Sequence, residues 1–220
     1  MECRMDSIIQ SIAIYALPVI FAITLHEAAH GYVAKHFGDL TAYTQGRVSL
    51  NPIRHIDPLG TIVLPIVTML LGGILFGWAK PVPVNFSALR NPKQDMMWVA
   101  LAGPGANLFM AILWGFVIKF ALGLPQDGLA EPLILMGEAG IKINVVLMVL
   151  NLLPLPPLDG GRVAVSLLPP RLAYNFSKIE PYGFMILLFL LATGVLGAVM
   201  GPLIAITIHL MALFFGFATY

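Results

Sequence analysis

The sequence predicts an all-α polytopic membrane protein. Hydrophobic residues make up 59% of its 220 residues and charged residues only 10%, and mean hydropathy is +0.89, far above the values of soluble domains. Several apolar runs reach or approach the length of about 20 residues that a helix needs to cross a bilayer. The net charge of +1 gives no reason to expect a nucleic-acid partner. The single cysteine, Cys3, excludes an internal disulfide and a cysteine-rich metal site.

The first predicted membrane helix covers residues 7–37. Pro18 is expected to kink it, and Gly38 follows its end. A run this close to the start of the chain could also be a signal peptide. Cleavage after it would remove or isolate His26 and His30, so we expect the helix to be retained.

The next stretch alternates between polar and apolar segments. Residues 40–58 are polar and rich in turn formers, and short strands are predicted at 41–44 and 47–50. Residues 59–76 are apolar but contain a proline and a glycine pair, and residues 77–95 form a proline-rich polar connection.

The second half of the chain contains four further apolar spans. Two are predicted at 96–122 and 133–153, and two closing spans at 182–199 and 202–217 are joined by Gly201. The expectation is about five to six membrane segments, with a re-entrant or short β element near the predicted site. All belong to a single domain, residues 1–220, with a core at about 8–168 and closing helices at about 181–218.

One motif lies inside the first predicted helix: His26-Glu27-Ala28-Ala29-His30. Histidines four residues apart share a helix face, where their two imidazoles can hold one zinc ion. A glutamate beside them can act as a general base on water. Ionisable side chains are costly at membrane depth, which favours a functional role over a polar patch at a helix interface.

A second unusual stretch runs from Asn151 to Gly160. Its prolines stop the preceding helix and leave extended backbone, which is tolerated at membrane depth only when buried in protein or lining a wet cavity. Asp159 would add a third ligand to the two histidines and leave one position open, as a catalytic zinc site requires. Taken alone, Asp159 would be assigned as the N-cap of the next helix, residues 160–168, rather than as a ligand. The histidine pair in the same chain favours the ligand role.

With these two motifs the sequence resembles the site-2 protease family of intramembrane zinc metalloproteases. The family pattern H-E-x-x-H on one membrane helix is matched at residues 26–30. The pattern N-x-x-P-x-P-x-x-D-G on a later helix is matched at residues 151–160, and a Gly-Pro-x-x-Asn element typical of the family is matched at 103–107. The resemblance covers about residues 8–168.

The resemblance implies that His26, His30 and Asp159 bind one Zn²⁺ and that Glu27 is the catalytic acid and base. The implied activity is hydrolysis of a peptide bond in or near the transmembrane segment of a membrane protein. The implied partners are single-span membrane-protein substrates and the lipid bilayer, and a regulatory partner or a homo-oligomer is a further expectation.

Two asparagines in the matched motifs receive expected roles as well. Asn151 is expected to contact the substrate backbone or the reacting centre. Asn107 is expected to do the same or to hold the fold near the site. No PDZ-like or CBS-like segment is apparent, so the chain is expected to be a minimal catalytic core.

A single zinc site constrains the topology. The first helix and the 133–153 helix must end on the same side, so residues 59–76 are expected to dip into the membrane and return. Nearly all cations then lie on one side, which predicts that the active site faces the cytoplasm. These cations are Lys35, Arg47, Arg54, Lys80, Arg90, Lys93, Arg162, Arg171 and Lys178. The short chain, with no evident organelle-targeting segment, favours a prokaryotic plasma membrane.

Two other classes of function are compatible with the same residues. A polytopic divalent-cation transporter could use the His26, His30 and Asp159 cluster, although it would not need Glu27. An inactive relative could bind membrane helices without cleaving them, but the intact Glu27 argues against that.

Overall fold

The computed structural model describes residues 2–63, 80–125 and 128–217, and every regular element in these ranges is helical. The predicted all-α class is therefore confirmed for this part of the chain. In chain order, the α-helices are α1 (Glu2–His36), α2 (Thr41–Thr44), α3 (Pro92–Leu122), α4 (Ala130–Leu152), α5 (Asp159–Leu167), α6 (Pro170–Ser177), α7 (Glu180–Ala192) and α8 (Val195–Phe215).

Within the described ranges, four helices are long and apolar enough to cross a membrane: α1 over Ala13–His36, α3, α4 and α8. Helix α3 begins at Pro92, four residues earlier than predicted. Proline favours the first position of a helix because its fixed φ suits the helix and its missing N–H is not needed there. The Asp95 carboxylate accepts the Asn91 backbone N–H at 2.7 Å and so secures this start.

The core lies where α3 and α4 pack together, with α1 against both. Trp114 of α3 lies over Gly140 of α4, where a Cβ atom would collide with the indole ring. Small residues of this kind let membrane helices approach closely. Apolar side chains of α7 and α8 complete the same cluster, among them Leu187, Leu196 and Met200.

The end of α1 and the start of α3 lie at the same end of this bundle. Ala34 packs with Leu89 and Val99, and the Arg90 backbone N–H donates to the Phe37 carbonyl at 3.0 Å. The segment between Phe37 and Arg90 therefore leaves the helical bundle and returns to it at the same end. The apolar run predicted to be re-entrant covers residues 59–76, and residues 64–76 lie outside the described residues. Its first five residues belong to a π-helical turn, Pro58–Val63.

The predicted short strands are wrong in the described residues. Residues 41–44 form the single helical turn α2, and residues 47–50 form no strand. Local bonds explain the turn: Asp39 accepts the Thr41 backbone N–H at 2.9 Å, and the Thr44 backbone N–H donates to the Leu40 carbonyl at 2.9 Å. A strand needs a partner strand for its backbone groups, and the described residues supply none.

The predicted boundary between the closing helices is also wrong. The break falls at Gly194, which has φ of +77°, while Gly201 lies inside α8. Glycine adopts the left-handed conformation at little cost, so Gly194 can end one helix and begin the next. Helix α7 is left with 13 residues, about 20 Å, which is short of the bilayer core of about 30 Å.

Candidate metal centre

Helix α1 brings His26 and His30 together as their spacing predicts. The two Nε2 atoms lie 3.1 Å apart, and both residues are more than nine-tenths buried. His30 lies six residues before the end of α1, or about 9 Å along the helix axis. The pair therefore lies well inside the apolar part of the helix.

Asp159 reaches the same point from an irregular loop. Helix α4 ends at Leu152, and α5 begins at Asp159. Gly160 and Gly161 pack so tightly on the loop backbone that a Cβ at either would collide with it. The loop thus folds back on itself, and Asp159 Oδ2 comes to 3.3 Å from the Nε2 atoms of both His26 and His30.

The three ligand atoms form a triangle that fits zinc. Its sides are 3.1, 3.3 and 3.3 Å. A tetrahedral ion with bonds of about 2.0–2.1 Å places its ligands about 3.3–3.4 Å apart. These residues form a group of metal-binding type with ligand atoms within 4.8 Å of one another. Three protein ligands leave one position for water or a substrate oxygen, as in catalytic zinc sites.

The Nδ1 atom of each histidine has its own hydrogen-bond partner, which leaves Nε2 as the ligand atom. His26 Nδ1 lies 2.6 Å from Asn107 Oδ1, and His30 Nδ1 lies 2.7 Å from the Val99 carbonyl oxygen. Both partners are acceptors, so each Nδ1 carries the proton and each Nε2 of a neutral ring presents a lone pair. Two lone pairs and a carboxylate oxygen at these distances repel one another unless a metal ion or a proton on one of the nitrogens lies between them.

The electrostatics of Asp159 agree with this requirement. Burial raises the pKa of its carboxyl group, but hydrogen bonding to the two imidazoles, and their positive charge when protonated, bring the pKa well below its ordinary value. Asp159 is therefore ionised. Protons on the imidazoles or a metal cation can supply the balancing charge, and zinc fits both the ligand types and their spacing.

Glu27 lies beside the triangle but does not belong to it. Its Oε2 accepts the backbone N–H of Val82 at 2.7 Å. Residues 80–85, which include Val82, run without regular structure. The Arg47 guanidinium holds this segment through the carbonyls of Lys80 and Pro81 at 2.9 and 3.2 Å. The contact leaves Oε1 of Glu27 available for other partners.

The two expected asparagines have different positions. Asn107 is fully buried and contacts His26 directly. The amide of Asn151 donates to the Leu147 carbonyl of its own helix at 3.0 Å. Asn151 thus lies at the end of α4, without a contact to the three ligand atoms in the described residues, and its substrate-binding role stays a prediction.

Sequence reasoning left two contributors to the site without a specific role. Asn144 was expected only to line the same cavity as Asn151, and Gly103 was only part of the matched Gly-Pro-x-x-Asn element. Asn144, fully buried, accepts a hydrogen bond from Asn107 at 3.0 Å. Gly103 lies so close to both histidines that a Cβ there would be 2.6 Å from His26 Nε2. The signals available were an asparagine inside an apolar helix and a glycine one α-helical turn before Asn107, and neither one identifies its partner.

Known proteins with similar sequences are named as zinc metalloproteases. The chain is 40% identical over 191 residues to "putative zinc metalloprotease YwhC" of Bacillus subtilis. The aligned region covers 86% of this chain and 84% of YwhC. It is 33% identical over 179 residues to "putative zinc metalloprotease Rip2" of Mycolicibacterium smegmatis, and spans 64% of that relative's length. Rip2 of Mycobacterium tuberculosis strain H37Rv is 29% identical over 180 residues, 65% of its length.

No protein-family profile matches the chain. No solved structure matches it either. The relationship to YwhC extends over most of both proteins, 86% of this chain and 84% of YwhC. The chain therefore belongs to the site-2 protease family of zinc metalloproteases.

Proposed function

We propose that this protein hydrolyses a peptide bond in or near the transmembrane segment of membrane-protein substrates. The observation that carries the proposal is the convergence of two imidazoles and one carboxylate on a single point inside the helical bundle. That point lies about 9 Å from the end of an apolar helix, and α1, α3 and α4, the helices around it, are all candidate membrane spans.

His26, His30 and Asp159 are proposed to hold Zn²⁺. Bound there, zinc supplies Lewis acidity, which polarises a peptide carbonyl and makes water more acidic. Each histidine is held by its Nδ1–H and Asp159 by its glycine-rich loop. A ligand set held this firmly needs little rearrangement when a substrate enters.

Glu27 is proposed as the general base and acid. Its Oε1 would take the proton of the attacking water and pass it to the leaving amine. The Val82 N–H fixes Oε2 and so limits how the carboxylate can turn. Glu27 follows His26 in the sequence, and this contact is proposed to keep its carboxylate directed at the reacting centre.

The proposed orientation places the site toward the cytoplasm of a prokaryotic plasma membrane. The ends of α1 and α4 and the start of α3 meet at the site, so positive residues that flank these ends share one side, among them Lys35, Arg90, Lys93 and Arg162. Such a bias is typical of cytoplasmic loops. Because the chain leaves Phe37 and returns at Arg90, residues 59–76 are proposed to make no net crossing.

The test compares wild type with Glu27→Gln. Each protein is purified in detergent, its zinc is counted per chain, and it is incubated with a panel of single-span membrane proteins whose products are identified by mass. We expect zinc near one per chain in both and cleavage within the span by wild type only. Glu131→Gln, a change at an exposed glutamate at the start of α4, is the matched control and should cleave as wild type does.

Two results would contradict the proposal. A Glu27→Gln protein that cleaves as fast as wild type would remove Glu27 from the chemistry. Wild type with zinc that cleaves no substrate, but moves divalent cations across vesicle membranes, would favour the transporter.

A further inference from the structure

Three buried side chains form a hydrogen-bonded chain behind the metal site. Asn144 Nδ2 donates to the Gly140 carbonyl at 2.8 Å. Asn107 Nδ2 donates to Asn144 Oδ1 at 3.0 Å, and Asn107 Oδ1 lies 2.6 Å from His26 Nδ1. Both asparagines are 0% exposed, so water cannot replace a missing partner.

The order of donors and acceptors in this chain has only one solution. The Gly140 carbonyl can only accept, so Asn144 must direct its NH₂ group there and its oxygen toward Asn107. Asn107 must then direct its NH₂ group to Asn144 and its oxygen to His26. The Ala22 carbonyl, 3.3 Å from Asn107 Nδ2, favours the same orientation. His26 is left with a proton on Nδ1 and a lone pair on Nε2.

The opposite orientation would be incompatible with metal binding. A reversed Asn107 would present NH₂ to His26 Nδ1, which would then have to accept. A neutral ring would place its proton on Nε2, the atom that faces Asp159 and His30. A protonated nitrogen cannot ligate a metal.

We infer that Asn144 is a positioning residue for zinc, acting through Asn107 to set the tautomer of His26. The inference rests on the proposed zinc-binding role of His26, and it adds a residue outside the family motifs matched in the sequence. Partners one step removed from metal-ligating histidines set zinc affinity by about 10–100-fold. The carboxylate that often fills this place is replaced here by two amides in series.

The test replaces Asn144 with a residue of similar size and no polar atoms. Asn144→Leu is compared with Val149→Ala, which lies later on α4 and removes buried apolar packing but no polar group. Zinc affinity is measured by competition with a chelator, and the geometry is followed by the absorption spectrum of the Co²⁺-substituted protein.

We expect Asn144→Leu to bind zinc at least about tenfold more weakly than wild type and to alter the Co²⁺ spectrum. Val149→Ala is expected to match wild type in both measurements. If Asn144→Leu does not fold, Asn144→Ser replaces it. A serine in a helix can still bond the carbonyl four residues earlier, but it is too short to reach Asn107.

Each alternative result has a separate meaning. Equal zinc affinity in Asn144→Leu and wild type overturns the inference and leaves the proposed function intact. Equal losses in both variants also overturn it, because they would reflect a general weakening of α4. Wild type without bound zinc overturns the proposed function, and the inference with it.

Discussion

Gly103 allows the sharpest prediction about the metal site, because it is one of the residues nearest to the ligand atoms. A Cβ at this position would lie 2.6 Å from His26 Nε2 and about as close to His30 Nε2. Ordinary contacts of a Cβ begin near 3.4 Å, so the imidazoles would have to move by about 0.8 Å. Metal sites tolerate about 0.2 Å in their ligand distances.

The Gly103→Ala protein should therefore lose zinc. The shift is several times the tolerance and affects two ligands, so we expect zinc affinity to fall by at least about 100-fold. Residues that only hydrogen-bond a ligand typically change metal affinity by about 10–100-fold. The assay is zinc content after equilibration with a chelator, together with cleavage of a single-span substrate.

Gly105 supplies the matched control. It lies two residues further along α3, and a Cβ there would meet nothing within 4 Å. The Gly105→Ala protein should keep its zinc and be no less stable, since alanine favours helix over glycine by about 1 kcal/mol. Normal zinc binding by Gly103→Ala would refute the placement of the ligand triangle against α3.

Two further predictions concern Glu27 and the topology. Val82→Pro removes the N–H that holds Glu27, and proline is tolerated at an extended residue that precedes another proline. Because a hydrogen bond to a charged group contributes about 1.5–3 kcal/mol, kcat should fall roughly 10–100-fold with zinc content unchanged. The control Val82→Ala keeps the N–H and should cleave as wild type does. Equal rates for the two variants would show that the contact does not orient Glu27. In a Cys3→Ser background, Ser87→Cys should resist an impermeant thiol reagent in intact cells, while Leu129→Cys, at the opposite end of the bundle, should react; labelling of Ser87→Cys from outside would reverse the proposed orientation.

The sequence alone determined the class of protein and the principal site. A chain with 59% hydrophobic residues can bury so much apolar surface only in a membrane. The pair His26 and His30 follows from helical periodicity, which is a local property. Asp159 could be paired with them because prolines end α4 just before it. The structure brings all three together within 3.3 Å.

The errors arose where two local conformations were both compatible with the sequence. Residues 41–44 have β-branched and aromatic side chains, but the Asp39 carboxylate bonds the Thr41 backbone N–H and stabilises a helical turn. Gly194 and Gly201 are both able to end a helix. Only the backbone, with φ of +77° at Gly194, decides between them.

The tertiary structure alone decided how the site is held. The contact between Val82 and Glu27 joins residues 55 positions apart, and that between His26 and Asn107 joins residues 81 apart. Such pairs depend on how α1, α3 and α4 pack, which no local pattern encodes. Ligand types follow from residue chemistry, whereas the proton on His26 and the orientation of Glu27 follow from neighbours that only folding brings within hydrogen-bonding distance.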